Sequence, residues 1–212
     1  MQKFIIAIFL ITGMNAFTQG TAGIYKFKVN IDQRLTNQFI VNNANQNQLN
    51  IPNVLNDSLL SCVKRLVTQE VFAKTQWLFP LNKKGEPKKT NNSATQLGDM
   101  PRGTKRQAMK TEYLEYYVKF KIRVGVNKTM TVGNEFASYS RLKPYVRVKM
   151  KAYGVDRRVK RRKQIRLGGF KGIGSVNMNV GGTTMTQTNA LPIEEIMDMI
   201  FKGLVKFEEK VK

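Results

Sequence analysis

The chain has 212 residues, with 36 Lys and Arg against 14 Asp and Glu, a formal net charge of +22, no histidine and one cysteine, Cys62. That composition excludes an intramolecular disulfide and removes the usual ligands of zinc, copper and haem, so neither a metal nor a cofactor is expected. So large a positive charge repels itself and argues for an anionic partner.

Met1, Gln2 and Lys3 give a short basic start, residues 4–12 (FIIAIFLIT) are apolar, and small and polar residues follow, with Ala16 and Thr18 placed for cleavage before Gln19. This is the pattern of an export signal. The apolar span falls short of the roughly 20 residues that a membrane helix needs. Residues 1–18 are therefore expected to be removed as a signal peptide, leaving 19–212 as a single domain. An exported chain without disulfides leans toward the periplasm or extracellular face of a Gram-negative bacterium. There the abundant polyanions are lipopolysaccharide, anionic phospholipid headgroups, acidic glycans and released DNA.

The first mature element alternates: Tyr25, Lys26, Phe27, Lys28 and Val29 read as a strand open on one face, and residues 38–41 as a second. The Asn- and Gln-rich residues 42–50 read as a loop. Pro52 and Asn53 open a helix in which Leu55, Leu59, Cys62, Val63, Leu66 and Val67 recur at three- and four-residue spacing. Cys62 lies in that stripe and reads as a small core residue rather than a reactive one. Residues 82–110 carry eight Lys and Arg among Gly, Pro, Asn, Ser and Thr, with few apolar residues, and read as a mobile basic loop.

The clearest strands follow at residues 116–124 and 145–153. Period 2 sets Phe120, Ile122, Val124, Val146, Val148 and Met150 on one face, and Lys119, Lys121, Arg123, Arg147, Lys149 and Lys151 on the other. Gly154, Val155 and Asp156 suit a tight turn into residues 157–167, where Arg158, Lys160, Arg162 and Arg166 are expected to point one way from a hairpin. The Gly-rich residues 168–182 read as a further, irregular strand. Pro192 with Glu194 and Glu195 opens a last helix, with Ile193, Ile196, Met197, Ile200, Phe201 and Leu204 as its apolar face.

Two amphipathic helices require an apolar sheet face to cover. The fold expected is α+β, a mostly antiparallel sheet with two helices packed on one face. Its other face collects Lys26, Lys28 and the cations of the two long strands, with Tyr117, Tyr145 and Tyr153 at the edges. Like charges on neighbouring strands destabilise a sheet, so three segments that all choose cations point to an anion-binding surface rather than a merely solvated one.

A catalytic reading lacks its parts. Without histidine, and with Cys62 on a core stripe, the usual nucleophile–base pairs are absent. Residues 168–174 (GGFKGIG) carry loop glycines but lack the Gly-Lys-Ser/Thr ending of a phosphate loop.

In element order, residues 23–212 resemble small α+β accessory proteins of the Gram-negative envelope, such as the lipopolysaccharide-assembly lipoprotein family, in which two helices cover one face of a sheet. The chain has no cysteine at the cleavage site to carry that family's lipid anchor. The resemblance implies an envelope role. The expectation is an exported, non-catalytic protein, peripheral to the membrane, that binds lipopolysaccharide or another polyanion through Lys119, Lys121, Arg123, Arg147, Lys149, Lys151, Arg158, Lys160, Arg162 and Arg166. The alternatives are a scaffold subunit docking an acidic protein of an outer-membrane assembly, and non-specific nucleic-acid binding.

Overall fold

The computed structural model describes residues 20–41, 49–50, 53–71, 74–78, 81–84, 95–96 and 103–211. The expected signal peptide lies outside them, as does much of 82–110. Where that basic stretch is described, it holds a short strand at Thr95–Gln96 and a helix at Lys105–Thr111, whose first turn is closed by a capping box between Thr104 and Gln107.

In chain order the elements are β1 (Thr21–Ile31), α1 (Gln33–Thr36), β2 (Phe39–Val41), β3 (Leu49–Asn50), α2 (Asn53–Val71), β4 (Lys74–Trp77), β5 (Thr95–Gln96), α3 (Lys105–Thr111), β6 (Tyr116–Gly133), β7 (Ala137–Gly154), β8 (Val159–Leu167), β9 (Ile173–Val180), β10 (Thr183–Thr188) and α4 (Ile193–Val211). Eight of the strands form one sheet in the order β2-β10-β9-β7-β6-β1-β4, with β8 also on β7, and β3 and β5 pair separately.

The expected mostly antiparallel sheet under two helices is corrected by this topology. β1 lies between β4 and β6 and runs parallel to both, and the mixed sheet curls into a half-barrel accompanied, among the described residues, by four helices. The cause is connectivity. The 19-residue α2 lies between β1 and β4, and a crossover of that length returns the chain to the same end of the sheet, which makes the next pairing parallel.

β6 and β7 form a hairpin of two 18-residue strands, twice the span that their hydrophobic alternation marks out. Even-numbered positions of β7 from Ser140 to Gly154 are buried, and odd-numbered positions from Ala137 to Tyr153 are open or half-buried, Tyr145 excepted. The free side of β7 is shared. β8 pairs with Val146–Tyr153 and β9 with Ala137–Leu142, so the two lie end to end along one strand. Pro144, with no N–H to donate, stands opposite the break between them. The Gly-rich tract is that break followed by a β9–β10 hairpin, whose turn places Gly181 and Gly182 at φ +57° and +78°, the left-handed pair a two-residue hairpin requires.

The core lies between α2 and α4 and the even face of β7 with its neighbours. Leu59, Val63, Leu66 and Val67 of α2 and Ile196, Ile200, Leu204 and Phe207 of α4 are buried against Phe27, Phe120, Val146, Val148 and Met150. Phe120 and Phe207 meet edge to face at 5.7 Å. A second, smaller cluster on the opposite face joins Tyr25, Leu78, Leu114 and Tyr117 with Ala108 of α3. Among the described residues no helix is long and apolar enough to cross a membrane.

Candidate polyanion-binding face

The register of β1, β6, β7 and β8 sets the cations in rows. Across the sheet, Lys26, Lys119, Lys151 and Arg162 are cross-strand partners; Lys28, Lys121, Lys149 and Gln164 form the next row; Asn30, Arg123, Arg147 and Arg166 form the third. Ten of these twelve neighbouring positions are Lys or Arg, and all twelve are on the face away from α2 and α4. Lys119, Lys121, Lys149 and Lys151 enclose a recess of about 90 Å³.

Electrostatics follow from that packing. The Lys119 ammonium is held below the usual lysine range, first by partial burial and then by Lys121, Lys26, Lys151 and Lys149. Lys149 is lowered for the same reasons, with Arg162 the leading charged neighbour. The ion pairs described elsewhere, such as Arg65–Glu208 and Lys202–Asp198, do not reach this face. Nine of its ten cations, from Lys28 to Arg166, form no ion pair among the described residues.

One end of the grid is ordered by an aromatic ring. Tyr145 lies on the same face, with the Arg166 guanidinium carbon 4.0 Å from its ring centroid and that of Arg147 at 5.8 Å. Gly125, directly opposite on β6, leaves the space the ring fills: a Cβ there would stand 2.6 Å from Tyr145 Cζ. Arg166 also donates to Asn127 Oδ1 at 2.7 Å, and the Nε of Arg147 is buried without a hydrogen-bond partner among the described residues. At the other end Lys105 lies 4.4 Å over the Tyr153 ring and donates to the Arg157 carbonyl at 2.6 Å. Burial, and then the neighbouring Tyr153, push the Tyr25 phenol well above its ordinary range.

Eight of the ten residues expected from alternation are therefore gathered: Lys119, Lys121, Arg123, Arg147, Lys149, Lys151, Arg162 and Arg166. Arg158 and Lys160 are not. A bulge between Val159 and Arg161 makes Lys160 the extra residue of β8 and reverses the facing of everything before it. Lys160 binds Asp156 at 2.8 Å, and Arg158 lies in the turn. Lys105 and the role of Tyr145 were not marked by the sequence. Alternation on one strand cannot show which ring meets which cation.

Two other features bear on chemistry. A larger polar recess of about 460 Å³ opens on the core side of the distal sheet, beside Asp32, Arg34, Lys128, Ser140 and Asn177, but Arg34 is already engaged by Asp32 in two hydrogen bonds of 2.9 Å. Cys62 is half-buried, and burial raises its thiol pKa. Among the described residues no group of His, Cys, Asp and Glu is arranged to hold a metal ion.

No protein-family model and no curated protein matches the chain. Among solved structures, it is similar to the crystal structure of a neuraminyllactose-binding hemagglutinin homologue from Helicobacter pylori at 8% identity, covering 92% of this chain and 87% of that one, with a TM-score of 0.41. A likeness so distant has no bearing on function.

Proposed function

We propose that the chain is an exported, non-catalytic protein of the bacterial envelope that binds a polyanion, with lipopolysaccharide as the leading candidate, through the cationic face of β1, β6, β7 and β8. The observation that carries this reading is the three-row grid, in which ten of twelve adjacent positions are basic. Like charges directly opposite one another destabilise a sheet. A solvated surface gains nothing from such an arrangement, whereas a ligand with several phosphates or carboxylates relieves it. The basic, apolar and small-residue order of residues 1–19 supports export.

The grid favours charge over base-specific readout. Its aromatic rings lie at the two ends of the grid along β7, where Tyr145 is stacked under Arg166, rather than alternating with the cations as a stacking platform for single strands would need. The test is direct binding of the mature protein to purified lipopolysaccharide, heparin and duplex DNA at several salt concentrations. Binding that weakens steeply with salt supports the proposal. Absence of binding to every polyanion, with co-purification of a defined acidic membrane protein, assigns the face to an assembly instead.

A further inference from the structure

The face that carries the cations does not end with them. On β7 the odd positions run without a break from Tyr153, Lys151, Lys149 and Arg147 through Tyr145 and the exposed cations Lys143 and Arg141 to Tyr139 and Ala137, so the distal half of the sheet continues the same face. Beyond Arg141 the chemistry changes. Val132 pairs across to Tyr139, and Met178 to Met185, all four exposed. Beyond them two hairpin tips lie side by side, tied by the Asn179 N–H donating to the Phe136 carbonyl at 2.8 Å. The tips present Phe136 at 70% exposure and Val180 at 66%. The opposite face of the same strands is polar, with Thr131, Ser140, Asn177 and Thr186 joined by hydrogen bonds.

Scattered apolar side chains on a surface are ordinary, but a contiguous set confined to one face is not. We infer that this face, cations and apolar distal sheet together, is the contact surface for an anionic lipid bilayer, with the headgroups on the Lys and Arg rows and the two hairpin tips entering the acyl boundary. This rests on the polyanion-binding reading and adds the physical form of the ligand. Charge complementarity selects the lipid. A soluble polyanion gives the apolar half no partner, whereas a bilayer surface supplies negative charge and hydrocarbon side by side. Tyr139, exposed at the boundary between the two halves, has the amphipathic ring that settles at such an interface.

The experiment compares the mature protein with the variant carrying Val132→Thr, Phe136→Ser and Val180→Thr, all exposed positions that leave the core intact. Each is titrated with phosphatidylcholine vesicles containing phosphatidylglycerol, with phosphatidylcholine vesicles alone, and with heparin, and its mass in solution is measured. Expected are unchanged heparin binding, anionic-vesicle binding weaker by about tenfold or more, and, for the parent only, residual vesicle binding in salt that abolishes heparin binding. Equal vesicle binding by both proteins, with heparin bound, overturns the bilayer inference and leaves the polyanion reading standing. Heparin and vesicles both unbound defeats the underlying reading. A parent dimer that the variant makes monomeric, with vesicle binding unchanged, assigns the apolar face to a second copy of the chain and also overturns the inference.

Discussion

Lys119 and Lys151 stand directly opposite each other on β6 and β7, with Lys26 and Arg162 completing their row. Four cations across four strands are held together by the core behind them: Phe27 and Phe120 are buried on the other face and Phe120 packs on Phe207. The repulsion is local and electrostatic, and the hydrophobic packing that offsets it is insensitive to salt.

The first prediction follows from the lowered lysines. A lysine whose folded pKa lies below its unfolded value contributes stability that is present above that value and lost as the pH falls through the folded one. At neutral pH, Lys119 and Lys149 therefore carry their repulsion in full. A bound polyanion should raise both. Nuclear magnetic resonance of isotopically methylated lysines should show their titrations below the ordinary 10.5 in the free protein and moving upward with ligand.

Screening gives a second prediction. In the absence of any ligand the melting temperature should rise as sodium chloride is increased through the range where the Debye length falls from about 30 to about 8 Å. A variant with Lys121→Gln and Lys149→Gln should be at least as stable as the parent at low salt, and less responsive to salt. Calorimetry of the two proteins checks both points.

Glu70 of α2 offers a pH-dependent test in the core. Its side chain is buried, one carboxylate oxygen has no hydrogen-bond partner among the described residues, and burial raises its pKa against the opposing pull of Lys163 and Arg161. A raised carboxyl contributes stability below its unfolded value of 4.5 that is lost as pH rises through the folded value. Glu70→Gln should accordingly stabilise the protein at pH 7, with the difference vanishing below pH 4.5. Urea unfolding at the two pH values measures it.

Packing behind the face sets the fourth expectation. Ile200 is fully buried under the sheet, and Ile200→Ala should cost about 2–5 kcal/mol. Gly125→Ala should act differently. It pushes against the Tyr145 ring, displacing the platform for Arg166, so it should weaken polyanion binding with a smaller loss of stability than Ile200→Ala.

Much of this was legible in the sequence, for a physical reason. β6 and β7 are buried on one side only, so their facing is written as alternation: Phe120, Ile122 and Val124 inward, Lys119, Lys121 and Arg123 outward. The apolar periods of α2 and α4 likewise mark their buried sides, although Leu55 lies outside the described side chains. Strand direction was not legible. Alternation is the same for parallel and antiparallel neighbours, and β4, four residues long, has too short a period to announce the third strand that flanks the crossover. The distal halves of β6 and β7 were hidden because Gly125, Asn127 and Pro144 interrupt the apolar alternation, and because the apolar side chains there are exposed instead of alternating with a core. Lys160 was misplaced by a single bulge residue, which no periodicity reveals.

The slope of affinity against salt tests the central claim most directly. On duplex DNA each cation that meets a phosphate contributes about −0.9 to the slope of log K against log salt. A variant carrying Lys119→Gln, Lys121→Gln, Lys149→Gln and Lys151→Gln should bind more weakly and lose up to about 3 to 4 from that slope. A control carrying Lys202→Gln and Lys206→Gln, on α4 behind the sheet and paired with Asp198 and Glu209, should keep the parent's slope. Equal losses per charge removed in the two variants would mean that the net charge attracts polyanions from all sides and that the cationic rows are not a site.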